Sequence, residues 1–223
     1  HSPMLLARIA GVLYLIITIA AIIAHMYVPE QLIVVGDAAT TASNISSSQG
    51  LFRMAIGSEF IILLSEVVLS IILYVLLKPV NHMVSQIAAV SRLVMTTIHG
   101  LNLLNYFFIL ILLSGADYLS VFNAEQINSL VMVFLDAHTY GFAIGIAFLI
   151  IHVLALGYLI YKAGYVPRIF GVLFIVAGFG YLIDSVGILL LPAYDTTPAL
   201  VALVISISEI AFPVWLLVKG VNR

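Results

Sequence analysis

Six apolar runs, at about 8–28, 51–77, 92–113, 133–161, 168–191 and 199–218, dominate this chain. Each has roughly the 20 residues that ~30 Å of hydrocarbon demands of a helix. In lipid, backbone hydrogen bonds must be satisfied within the segment, so open runs of this kind leave only helices. The expected fold is all-α: an integral membrane six-helix bundle forming a single transmembrane domain over residues 1–223. Composition agrees, with 64% hydrophobic and 8% charged residues, where a soluble domain has about 25% charged. A net charge of −2 offers no basic surface and excludes nucleic acid, which leaves the lipid bilayer as the expected partner. With no cysteine, disulfides and thiolate chemistry are excluded. The first run lacks a small-residue cleavage site and is expected to stay in the membrane.

The basic residues orient the bundle. Arg8, Lys78, Arg92, Lys162, Arg168, Lys219 and Arg223 fall at the chain ends and in the segments around 78–91 and 162–168. The alternate loops, 28–50, 114–130 and 192–198, have only Arg53 near their edges. This asymmetry predicts a multi-pass protein of the cell membrane with both termini cytoplasmic. Asp37, Asp117, Glu125 and Asp195 then lie outside.

The chain also reads as a triplication. ARIAGVLYLI from Ala7 returns as PRIFGVLFIV from Pro167, and YVLLKPVN from Tyr74 as WLLVKGVN from Trp215, with YLIYKAGY from Tyr158 between them. Arg8 to Arg92 and Lys78 to Lys162 are both 84 residues. The expected units are three helical hairpins in parallel pseudo-repeat, about 8–78, 92–162 and 168–219. Independent selection of interfacial anchors in every span is the competing explanation.

Several segments resemble a known family: GDAATTASNI from Gly36, SGADYLSVF from Ser114, LDAHTYGFAIG from Leu135, KAGYVPRIFGVL from Lys162 and GYLID from Gly180. They are similar to a bacterial multi-pass membrane family known as a domain of unknown function, number 4386. The resemblance implies a bacterial cell-membrane protein. It implies no reaction and no catalytic residue.

Function has one evident place to reside. Glu66 precedes Lys78 by twelve residues, while His152 and Glu209 precede Lys162 and Lys219 by ten each. An ionisable group in hydrocarbon costs at least roughly 2.5–3.5 kcal/mol, so such groups face the interior and find partners. At ~1.5 Å of rise per residue, Glu66, His152, Glu209 and Asn102 lie ~15–18 Å deep, with His99 ~10 Å deep. Glu66, His99, His152 and Glu209 are candidate ligands for a divalent metal ion, whose bound water would support hydrolysis of a lipid or other amphiphile. Alternatively the carboxylates are protonated, or hydrogen-bonded to His152 and Asn102, and fix helix register. Glu59, Asn102, Asp136, His138 and Asp184 are candidate ligand-binding residues of an outward-opening polar cavity. Arg53 is expected to pair with Asp136 or Glu59, and Asp184 to be held by His138 or His25. Gly141 and Gly145 would admit a neighbouring helix. The reading is a buried polar pocket for a metal ion or a small amphiphilic ligand. A proton- or cation-coupled transporter, a haem protein using His138 and His152, and a non-catalytic accessory protein are the alternatives.

Overall fold

The computed structural model describes residues 2–191, 194 and 197–221. Asp195 and Arg223, which entered the orientation argument, lie outside the described residues. The described residues are helical and contain no strand. Helix α1 (Pro3–Ala21) passes through a π-helical turn (Ile22–Tyr27) into α2 (Val28–Leu32). Then come α3 (Ala38–Ser47), α4 (Gln49–Leu77), α5 (His82–Asn102), α6 (Leu104–Leu112), α7 (Ala124–Ala163), α8 (Arg168–Leu190) and α9 (Ala199–Val218). Six segments are long and apolar enough to cross a membrane: Pro3–Leu32, Gln49–Leu77, His82–Leu112, Ala124–Ala163, Arg168–Leu190 and Ala199–Val218. This is a multi-pass membrane protein.

Two spans begin earlier than hydropathy places them. Residues 82–91 are not loop: Asn81 accepts from Val84 N at 3.0 Å and caps α5 at its start. The third span therefore starts at His82, and Arg92 lies ten residues, ~15 Å, inside it. The fourth starts at Ala124 behind a reciprocal capping box of Asn123 and Gln126. Its 40 residues extend ~60 Å, about twice the hydrocarbon thickness. Against the surplus packs α3, whose Ala42 and Ile45 share a core with Val131 and Leu135. The polar segment after the first span is thus a folded cap.

The π turn has a local cause. Pro29 has no N–H to offer the His25 carbonyl four residues back, and the chain widens there so that Val28 N bonds Ile23 O instead.

The spans close into a ring in which each packs on its chain neighbour, α1 on α4, α4 on α5, α5 on α7, α7 on α8 and α8 on α9, and α9 returns to α1. Lipid tails are as apolar as leucine, so close packing must hold such a ring together. Small residues supply it. A Cβ at Gly171 would meet Gly157 O at 2.7 Å, and one at Gly11 would meet Pro213 O at 2.9 Å. On α5 and α7, Gly141 and Gly145 receive Asn102 and His99 so closely that any Cβ would overlap them. Serines add interhelical bonds, Ser70 Oγ to Ala89 O at 2.9 Å and Ser85 Oγ to Tyr74 O at 3.1 Å. Outward faces carry large apolar side chains such as Ile19, Leu64, Leu104, Ile169 and Leu203, as lipid contact requires.

The three arginines expected to be equivalent are not at one depth. Arg8 and Arg168 are exposed near helix starts, whereas Arg92 is 5% exposed.

Candidate functional site

Arg92 organises the centre of the bundle. Its helix buries a stripe at Ser85, Ala88, Arg92, Met95, His99 and Asn102, a period of three and four that turns the guanidinium inward. Arg92 Nε donates to the Glu66 carboxylate of α4. Its Nη1 donates to His152 Nε2 of α7 at 2.8 Å and to the Tyr14 hydroxyl of α1 at 3.4 Å. The guanidinium carbon also lies 5.2 Å from the Tyr14 ring centroid. An arginine has only donors, so His152 Nε2 must accept. The proton then sits on Nδ1, which donates to Ala88 O at 2.8 Å, and His152 is neutral. Beside this cluster the Tyr181 hydroxyl of α8 donates to Glu209 of α9. Every span contributes one member: Tyr14, Glu66, Arg92, His152, Tyr181 and Glu209.

All of these except Tyr181 line a cavity of about 380 Å³. Its polar lining includes Glu66, Arg92, His152, Glu209, Tyr14 and His25, and its apolar walls Ile17, Ala21, Leu149, Val153, Phe174 and Ile210. The cavity reaches the outer surface of the ring between the first and sixth spans, where Ile22, Met26, Ser206 and Ile210 are exposed.

The other expected residues sit elsewhere. Glu59 is 4% exposed, with His25 Nε2 3.2 Å from its Oε1, yet that oxygen has no hydrogen bond of sound geometry. His99 Nε2 lies 3.0 Å from Phe142 O, and its ring stacks on Phe142 at 4.6 Å. Asn102 Nδ2 donates to His138 O at 2.9 Å, while the His138 ring stacks on Tyr106 at 3.9 Å. His99 and Asn102 therefore lock α5 to α7. Asp184 is not held by a histidine: it accepts from the Tyr194 and Thr197 hydroxyls, both at 2.7 Å. Desolvation first, and then that bond and the Asp184 charge, push the Tyr194 hydroxyl up to about 12. Arg53 and Asp136 are exposed, and among the described residues Arg53 forms no ion pair with Asp136 or Glu59. None of the five expected ligand-binding residues lines the cavity beside Arg92.

Three of the four expected metal ligands share the cavity beside Arg92. Glu66, His152 and Glu209 line the same cavity, whereas His99 does not. A metal would need a His152 lone pair, and Arg92 holds the one that His152 has. No group of three or more His, Asp or Glu among the described residues is placed to hold a metal ion. The same engagement of His152 removes it as a haem ligand. The compensator of Glu66 is the guanidinium of Arg92, which hydropathy had placed at a membrane edge.

Family comparison covers nearly the whole chain. The profile described as "Domain of unknown function (DUF4386)" matches residues 9–220, and the chain belongs to this family. An uncharacterised protein of Archaeoglobus fulgidus is 28% identical over 161 residues, 72% of this chain and 80% of that protein. The likeness therefore reaches an archaeon and is not confined to bacteria. No solved structure matches the chain.

Proposed function

We propose that the protein is a membrane-embedded binding protein that takes a small amphiphilic ligand into the cavity beside Arg92. The observation that carries this reading is the cavity itself. At about 380 Å³ it falls in the ~300–1,000 Å³ range of small-molecule sites, and it has their usual make-up of apolar walls with a few convergent polar groups. An amphiphile matches both parts, its head meeting Glu209 and the Arg92 cluster and its chain meeting Ile17, Leu149 and Phe174. The hydrolase reading required a metal-held water. With Arg92 occupying Glu66 and His152, binding is the better supported role. The basic-residue asymmetry further supports a cell-membrane location with both termini cytoplasmic.

The test is to extract the protein with surrounding lipid in polymer nanodiscs and identify bound small molecules by native mass spectrometry. Wild type should retain a stoichiometric ligand. Ala21→Phe, which fills the cavity from the first span, should lose it while keeping the thermal stability of the fold. An empty wild-type protein, or equal occupancy in Ala21→Phe, would refute the reading.

A further inference from the structure

The charges that line the cavity do not balance. Facing it are Glu66 from α4, Arg92 from α5, His152 from α7, Glu209 from α9, and Tyr14 and His25 from the first span. Glu66 and Arg92 form an ion pair. His152 is held neutral by its two hydrogen bonds. His25 lies against Glu59, so a charge on one is met by the other. Glu209 remains. Its one hydrogen bond comes from an uncharged phenol, Tyr181, and the carboxylate is only partly buried, beside the route to the ring surface. A carboxylate surrounded by protein and lipid stays ionised only beside a counter-charge, and otherwise takes up a proton. With both carboxylates ionised, the lining sets two of them against one guanidinium, so a cationic head is what would keep Glu209 charged.

The shape of the cavity says where that cation comes from. The first and sixth spans meet tightly near the chain ends, where Gly11 lies against Pro213 and Leu217 and Tyr14 packs edge-on to Phe212 at 6.1 Å. Beyond Tyr14 they part around the cavity, and Ile22, Met26 and Ile210 turn apolar surface outward. This lateral opening lies between two membrane-crossing segments, Pro3–Leu32 and Ala199–Val218, and is bordered by apolar side chains.

We infer that the cavity selects a lipophilic amine, a protonated amino head on an apolar chain, which enters from the bilayer between the first and sixth spans and pairs with Glu209. This rests on the ligand-binding reading and adds to it the charge class and the route. An anionic amphiphile would meet Glu209 unfavourably and would have to displace Glu66 from Arg92. A neutral one would leave Glu209 uncompensated.

The experiment uses nanodiscs of zwitterionic phosphatidylcholine, so that the lipid itself does not collect amines. Saturable binding of tritiated dodecylamine is measured, with dodecanol and dodecanoate as competitors. Dodecylamine should bind saturably and be displaced by neither. Glu209→Gln, which keeps the side chain's shape, should weaken it at least tenfold, while Asp117→Asn, at an exposed position before α7, should leave it unchanged. Ser206→Trp, which crowds the mouth without touching Glu209, should slow association at least tenfold. If dodecanol or dodecanoate binds equally well and Glu209→Gln has no effect, the charge class is wrong and the amphiphile-binding reading stands. Unaltered association in Ser206→Trp overturns the lateral route. Absence of saturable binding by all three probes overturns the amine inference, while the native ligand search judges the binding reading independently.

Discussion

Replacing Arg92 by methionine should cost this protein far more than one hydrogen bond. Removing the guanidinium leaves the Glu66 carboxylate, 5% exposed, without its counter-ion. Breaking a buried pair from one side typically costs ~3–5 kcal/mol. Lost contacts to His152 and to the Tyr14 ring push the expected value toward the upper end. A very different number follows if Arg92 is merely one more polar contact, since intramembrane hydrogen bonds average only ~0.6 kcal/mol in double-mutant cycles. Glu66→Gln is informative from the other side. It strands the guanidinium and should also cost ~3–5 kcal/mol, whereas a carboxylate held by a proton would tolerate the amide.

The double variant Glu66→Gln/Arg92→Met contains neither charge and should be no less stable than either single variant. The resulting coupling is about 3 kcal/mol or more, at the top of the range for contacting residues. Reversible unfolding in mixed micelles, followed by the single tryptophan, Trp215, gives all four stabilities. Trp215 lies on α9 with its ring 5.7 Å from Phe170, so it reports separation of α8 from α9. An Arg92→Met cost under ~1 kcal/mol, or strict additivity of the two singles, would refute Arg92 as the compensator of Glu66.

Further outcomes follow from the packing and the cap. Gly145→Ala places a methyl group into the His99 ring and should cost ~1–3 kcal/mol by overpacking; His99→Ala should recover most of that loss in the same unfolding assay, and failure to recover would mean α5 and α7 meet elsewhere. Asp37 caps α3 through the Thr40 backbone N–H and hydroxyl, both at under 3 Å, and the two bonds hold its carboxyl below the ordinary 3.8. A depressed carboxyl contributes fully above its unfolded value and is lost as pH falls through the folded one, so hydrogen exchange across α3 should quicken below that pH and in Asp37→Ala, but little in Asp37→Asn. Because the chain has no cysteine, single cysteines are clean topology probes: Gly36→Cys and Ala116→Cys should react with impermeant reagents on intact cells and Gly164→Cys should not, and the reverse pattern would invert the orientation.

Much of the scaffold was legible because lipid imposes few solutions. Six long apolar runs can be little other than six helices, and of the residues grouped by depth Glu66, His152 and Glu209 line one cavity while His99 and Asn102 do not. Arg92 escaped for a physical reason. Hydropathy trims a span at its first polar residues, and 82–91 contains His82, Ser85, Gln86 and Ser91, so the first turns of α5 looked like loop and Arg92 like an anchor. A signal was present nonetheless. Ser85, Arg92 and His99 are seven apart, the spacing of one helix face, and that face is polar where the lipid-facing one cannot be. The partners of Asp184 were illegible in a different way. Tyr194 and Thr197 lie in the loop beyond its helix, and no periodicity predicts how a loop folds back.

The ring has one seam that no chain connection enforces. Five of its six contacts join spans that follow each other in sequence, and the sixth, α9 against α1, brings the two ends together. That seam carries the only helix-interior proline among the described spans beyond the π turn, Pro213. A proline at 213 withholds a backbone donor from the carbonyl four residues earlier, which belongs to Glu209. The residue with the unbalanced carboxylate therefore also has a weakened backbone bond, on the helix that borders the opening. A helix so relieved can bend at Glu209 more readily than its neighbours.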